Sequence, residues 1–195
     1  MARSTQSYCW GWKMKTFCET TARKFLTFMI QSHGHVELRC LKNKHHKNWN
    51  YKNKVASIIV NDVDIGISFL RKNSGNRNCY IGLNKIKDDV VKYDKHINQE
   101  YTNAISDEQI ESIGFVLFDF DTKRELKLDT MATDQEIEFA KKQAQTIVDY
   151  LKEKGIEFIS KVFSGNGLQL LIKTPNYSTE KSKELGSIFS DLKLR

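Results

Sequence analysis

The sequence predicts an α/β fold, in the mixed α+β sense, on three observations. Apolar and polar residues alternate in short runs bounded by turn residues, as at Val36–Leu41 and Leu168–Lys173, which is the period of a half-buried strand. One long segment, residues 133–155, carries apolar residues at spacings of three and four, the period of an amphipathic helix. The order strand, helix, hairpin, helix in the second half is that of helices layered on a sheet. At 195 residues, with 39% hydrophobic and 11% aromatic content, the chain is long enough for one domain with its own core.

The elements follow in order. Residues 16–31 read as a helix with Phe17, Phe25, Phe28 and Met29 on its buried side, ended by His33-Gly34. Val36–Leu41 reads as a strand, residues 42–54 as a polar loop, and Val55–Val60 as an apolar run of undecided type. Asn73-Ser74-Gly75-Asn76 is a turn and Cys79–Leu83 a short strand. Residues 85–112 are polar and charged, loop with helical pieces. Phe115–Asp121 is a buried strand. Thr133-Asp134-Gln135-Glu136 has the pattern of a capping box, in which the Thr oxygen and the Glu carboxylate satisfy free amides at a helix start. Ile137, Ala140, Ala144, Ile147 and Leu151 then share one face, and Gly155 is the stop. Glu157–Phe163, the turn Ser164–Gly167 and Leu168–Lys173 form a hairpin that Pro175 is expected to break. Residues 179–193 read as a last helix.

No apolar run approaches the roughly 20 residues of a membrane helix, and Met1–Lys15 lacks the apolar stretch of a signal peptide. The expectation is a cytoplasmic protein without a membrane partner. Cys9, Cys18, Cys40 and Cys79 have no C-x-x-C spacing and read as reduced thiols. Cys9, Cys18, His33 and His35 match no finger-like zinc spacing.

Net charge is +7, and the excess is local. Arg39, Lys42, Lys44, Lys47, Lys52 and Lys54 supply six positive charges, and no acid falls within 42–54. Trp49 and Tyr51 are interleaved with the lysines. Such a segment neutralises phosphates and stacks bases, and also suits a solvated loop. His45 and His46 in the same loop read as solvent-facing.

The chemistry-bearing residues lie in the second half. Phe115, Leu117, Asp119 and Asp121 fall on one face of their strand, with Val116, Phe118 and Phe120 on the other. The two carboxylates stand roughly 7 Å apart along the backbone, a spacing that allows both to reach one divalent cation, which would offset the cost of burying two acids without a counter-charge. A plain strand end entering solvent is the competing reading. Asp-x-Asp after a strand also marks aspartyl phosphatases, but Thr122 follows Asp119 by three residues instead of four, and the motif lies mid-chain. Ser164-Gly165-Asn166-Gly167 presents backbone amides to an anion or forms an ordinary hairpin turn. Gln169 lies on the opposite face from Leu168, Leu170 and Ile172. No G-x-x-x-x-G-K-[ST] occurs, which excludes a P-loop nucleotidase.

The order Asp-x-Asp strand, capped helix, Ser-Gly-x-Gly-x-Gln strand resembles the archaeo-eukaryotic primase superfamily, closest to the primase domains of phages and plasmids. Val36-Glu37-Leu38-Arg39 looks like the first strand of those domains, Tyr80-Ile81-Gly82-Leu83-Asn84 like their tyrosine–apolar–Asn strand, and Phe115–Arg124 like their metal strand with its following Arg. Ala132-Thr133 and Glu136 match the helix start. The resemblance spans residues 36–192. It implies one primase-like domain: a helical part at 1–35, an α/β module at 36–112, and a catalytic half with an RRM-like sheet at 113–195. It further implies template-directed nucleotidyl transfer in DNA replication. Asp119 and Asp121 would hold Mg²⁺ or Mn²⁺, and Ser164, Gly165, Asn166 and residue 169 would hold the triphosphate, with Arg124 and Lys161 as phosphate partners. The partners implied are a single-stranded DNA template, nucleoside triphosphates and a replicative helicase.

The chain departs from that family at two places. The family's phosphate-binding His falls on Gln169, which donates a neutral hydrogen bond but cannot become cationic. The family's third acid, on a later strand, has no counterpart before Arg195; Asp191 falls in the expected last helix. Either the chain is a piece of a longer protein, or the second reading holds: a catalytically impaired nucleic-acid-binding replication protein of the same fold.

Overall fold

A computed structural model describes residues 17–42, 55–93, 97–121, 132–156, 159–163 and 167–181. Helix and strand are mixed throughout them, and the chain divides into two compact units. The first is Met1–Gly82 with Lys95–Ala104, the second Leu83–Asp94 with Ile105–Arg195. The division differs from a break at residue 112, because Leu83–Asp94 and Ile105–Ser112 group with the second half.

In the first unit α1 (Glu19–His33), β1 (Val36–Lys42), β2 (Val55–Val60), α2 (Val63–Asn73) and β3 (Arg77–Ile81) form an antiparallel sheet of order β2-β1-β3 with two helices. Gly34 ends α1 at φ 79°, a conformation glycine adopts without a Cβ penalty. Leu26, Met29 and His33 are the buried residues of α1. Phe25 and Phe28 are only half-buried, with tilted rings 6.3 Å apart, so the helix is rotated from the face its aromatics suggest. The undecided run Val55–Val60 is a strand. Helix α2 is an element the sequence reading did not identify. Asp62 caps it, its carboxylate accepting from the amides of Asp64 and Ile65 at 2.8 and 3.0 Å. A Cβ on Gly66 would lie 2.5 Å from Leu26 Cδ2 and 3.3 Å from both Leu38 Cδ1 and Val60 Cγ2. Glycine thus lets α2 lie close to α1, β1 and β2.

In the second unit β4 (Lys85–Ile86), α3 (Asp88–Tyr93), β5 (Ile110–Asp121), α4 (Asp134–Glu153), β6 (Ile159–Phe163) and β7 (Gly167–Ser178) form an antiparallel sheet of order β4-β5-β7-β6. β5 and β6 both run antiparallel to β7, which lies between them, so β5-α4-β6 is a split β-α-β unit. Thr133 and Glu136 close the capping box at 3.3 Å and 2.7 Å, and Gly155 follows α4 at φ 79°. Ala144, Val148 and Leu170 form a core, with Phe118, Phe120, Ile147 and Leu168 packed against it. α4 therefore covers the Phe118–Phe120 face of the sheet.

Two sequence expectations fail here. β5 begins at Ile110, five residues before Phe115, where it pairs with β4. β7 runs through Pro175 to Ser178. Ile113 faces Tyr177 and Phe115 faces Lys173, so Gly114 alone opposes Thr174, Pro175 and Asn176. A proline fits such a bulge because no ladder hydrogen bond is asked of its nitrogen. Of the expected last helix, Thr179–Lys181 are helical and the remainder lies outside the described residues. Among the described residues no helix is long and apolar enough to cross a membrane.

Candidate functional site

The β5–β7 register builds the site. Asp119 pairs with Gln169, and Asp121 with Gly167. Directly opposed residues on antiparallel strands share a face, with Cβ atoms about 5 Å apart. Asp119 and Gln169 are thus neighbours on the face opposite α4, because Phe118 and Phe120, and Leu168 and Leu170 with them, occupy the helix side. Asp119 is exposed and Gln169 half-buried. Gly167, the next position towards the turn and the partner of Asp121, is buried and carries no side chain.

Lys161 is not part of this face. It pairs with Leu170, and its Nζ donates to Gln145 Oε1 of α4 at 2.7 Å. The expected phosphate partner is therefore directed to the helix side of the sheet. The parity of the hairpin decides this: Val162, not Lys161, pairs with Gln169. The same register brings in two residues the sequence reading did not single out. Ser160 pairs with Leu171 and so lies on the Asp119 face. Exposed Lys173, opposite Phe115, lies on it as well, four residues or about 13 Å along β7 from Gln169. Ser164, Gly165, Asn166 and Arg124 lie outside the described residues.

The fit to a divalent ion rests on the donor set. Among the described residues no group of three or more His, Cys, Asp or Glu is placed to hold a metal. An exposed carboxylate at Asp119, with a second aspartate two residues on, suits Mg²⁺ or Mn²⁺ that takes its other ligands from phosphate and water. It does not suit an all-protein cage.

No protein-family model, curated protein or solved structure matches the chain.

The expected nucleic-acid surface is described only at its edge. Arg39 Nη2 donates to the Glu37 carboxylate at 2.7 Å, and Tyr101 Oη donates to the same carboxylate at 3.4 Å. Glu37 is 6% exposed, and a carboxylate so buried requires a counter-charge. Arg39 supplies it, so its charge is matched inside the unit instead of being left for a phosphate. Lys42 ends β1 half-buried. Lys44, Lys47, Trp49, Tyr51, Lys52 and Lys54, with His45 and His46, lie outside the described residues, as does Cys9. The remaining residues of the zinc set do not converge: α1 separates Cys18 from His33 by fifteen residues, about 22 Å of helix.

Proposed function

We propose that the chain is a nucleotidyltransferase of primase type, acting on nucleoside triphosphates along a single-stranded DNA template with Mg²⁺ or Mn²⁺. The observation that carries this reading is the pairing of Asp119 with Gln169 and of Asp121 with Gly167. It brings the Asp-x-Asp strand and the strand after the Ser-Gly-Asn-Gly turn together on the sheet face that α4 leaves uncovered. The split β-α-β order, with β7 between β5 and β6, supports an RRM-like sheet.

In this reading Asp119 and Asp121 hold the ion, and Gln169 donates a carboxamide N–H to a phosphate oxygen beside it. Bound there, a divalent ion supplies Lewis-acid neutralisation of the triphosphate and a lowered pKa for the attacking hydroxyl. Gln169 orients the phosphate without adding charge, so affinity depends on the ion more than in a protein with a cationic residue at this place. The test is primer synthesis or extension by the wild-type protein and by Asp119→Ala in Mn²⁺. Asp119→Ala is expected to lose at least 100-fold in rate, on the scale of removing one preorganised group that stabilises transition-state charge. Equal extension by both proteins overturns the assignment. Salt-sensitive binding to single strands without extension by either protein would favour the nucleic-acid-binding reading.

A further inference from the structure

We infer that Cys40 and Cys79 form a reversible thiol–disulfide site that takes a low-molecular-weight disulfide of the glutathione class as its oxidant. Cys40 is central in β1 and Cys79 central in β3, and the register places them directly opposite each other. Their sulfurs are 3.2 Å apart, and both cysteines are free. Opposed residues on antiparallel strands have Cα separations of about 4.5–5.5 Å, within the about 4.4–6.8 Å that a disulfide spans. The backbone therefore already stands at bonding geometry, and the sulfurs need to close by only about 1 Å to the roughly 2.05 Å of a disulfide bond.

The two thiols are not equivalent. Cys79 is exposed on an edge strand, while Cys40 is completely buried. The Cys40 S–H donates to the Cys79 sulfur. That hydrogen bond, with Arg77 nearby, holds the Cys79 thiol below its ordinary value, whereas the same contact and then burial push Cys40 up. The sulfur of the exposed residue is thus the one that ionises first and the one offered to the oxidant.

The exchange balances in two steps. The Cys79 thiolate attacks one sulfur of the glutathione disulfide, the S–S bond breaks, and one glutathione thiolate leaves with a mixed disulfide on Cys79. The Cys40 thiol then gives up its proton, its sulfur attacks the Cys79 sulfur, and the second glutathione leaves. Two protein thiols are oxidised, and one glutathione disulfide is reduced to two thiols, which take up the two protons. The product ties edge strand β3 covalently to β1. Two thiols that merely share a weak S–H···S contact inside a core would not make this exchange.

The test treats the full chain with mixtures of oxidised and reduced glutathione, blocks residual thiols with an alkylating agent, and maps peptides without reduction. The expected result is a peptide pair linked through Cys40 and Cys79, lighter by two hydrogens and restored by dithiothreitol. Cys40→Ser is expected to stop at a glutathione adduct on Cys79, and Cys79→Ser to leave Cys40 unmodified. The inference is overturned if Cys40 and Cys79 remain alkylatable as separate thiols in the wild-type protein, or if the linkage formed instead joins Cys9 or Cys18. The wild-type map decides the matter by itself should either variant fail to fold.

Discussion

Replacing Gln169 by His places an imidazole opposite Asp119 and tests register and function together. A hydrogen bond to a phosphate from a neutral donor contributes about 0.5–1.5 kcal/mol, and one involving a charged donor about 1.5–3 kcal/mol. The gain is therefore about 1–1.5 kcal/mol, or roughly 5–10-fold in nucleotide affinity at 1.4 kcal/mol per decade. It exists only while the imidazole is protonated. Because Asp119 is exposed, the cross-strand attraction is limited to about 0.2–1 kcal/mol. At 1.36 kcal/mol per pKa unit this raises the imidazole by less than one unit from about 6.5. A raised basic group contributes its stability below its unfolded pKa and loses it as pH rises through the folded one. Calorimetric titration of Gln169→His with a nucleoside triphosphate in Mg²⁺ should show affinity roughly 5–10-fold above wild type at pH 6, falling to the wild-type level at pH 8. Adding Asp119→Asn should return the imidazole midpoint, followed by NMR without nucleotide, to its ordinary value. Equal affinity for Gln169→His and wild type at pH 6 would remove Gln169 from the nucleotide site. A midpoint indifferent to Asp119→Asn would refute the β5–β7 register.

Two further predictions concern the first unit. Gly66→Ala gains about 1 kcal/mol of helix propensity but sets a methyl 2.5 Å from Leu26 Cδ2, among side chains that are fully buried. With overpacking at about 1–3 kcal/mol, the net is a loss of about 1 kcal/mol, read as a lower urea midpoint at unchanged slope; a stabilised protein would contradict the packing of α2. Arg71 and then Arg23 hold the Glu19 carboxyl below its ordinary 4.5. A depressed carboxyl contributes stability above its unfolded pKa and loses it as pH falls through the folded one, so the melting temperature should fall below pH 4.5. Glu19→Gln should flatten that fall, and an unchanged acid slope would discount the pair.

What was legible in the sequence follows local rules. The capping box at Thr133, the stop at Gly155, strand β1 and the alternation of β5 each depend on a few neighbouring residues. What was not legible depends on partners far along the chain or on competing periods. In α2, Val63, Ile65, Ile67 and Phe69 alternate like a strand, and only Asp62 signals a helix start. The family resemblance groups Lys161 with Gln169 at the phosphate, whereas the hairpin register sends them to opposite faces. The charge of Arg39 read as part of a basic patch, since its pairing with buried Glu37 also involves Tyr101, 64 residues along. Cys40 and Cys79, 39 residues apart, meet only once β1 and β3 are aligned.

The course of β7 through Pro175 bears on self-association. From Lys173 to Ser178 one edge of β7 pairs with β5, while β6 stops pairing at Ile172. Among the described residues, the other edge of that stretch has no neighbouring strand. An unpaired edge is a template onto which a second chain can add a strand. Pro175 removes a donor from the middle of it, and the bulge bends the backbone out of the flat path that strand addition requires. The residue expected to end the strand thus leaves this stretch, unpaired among the described residues, a poor template for strand addition.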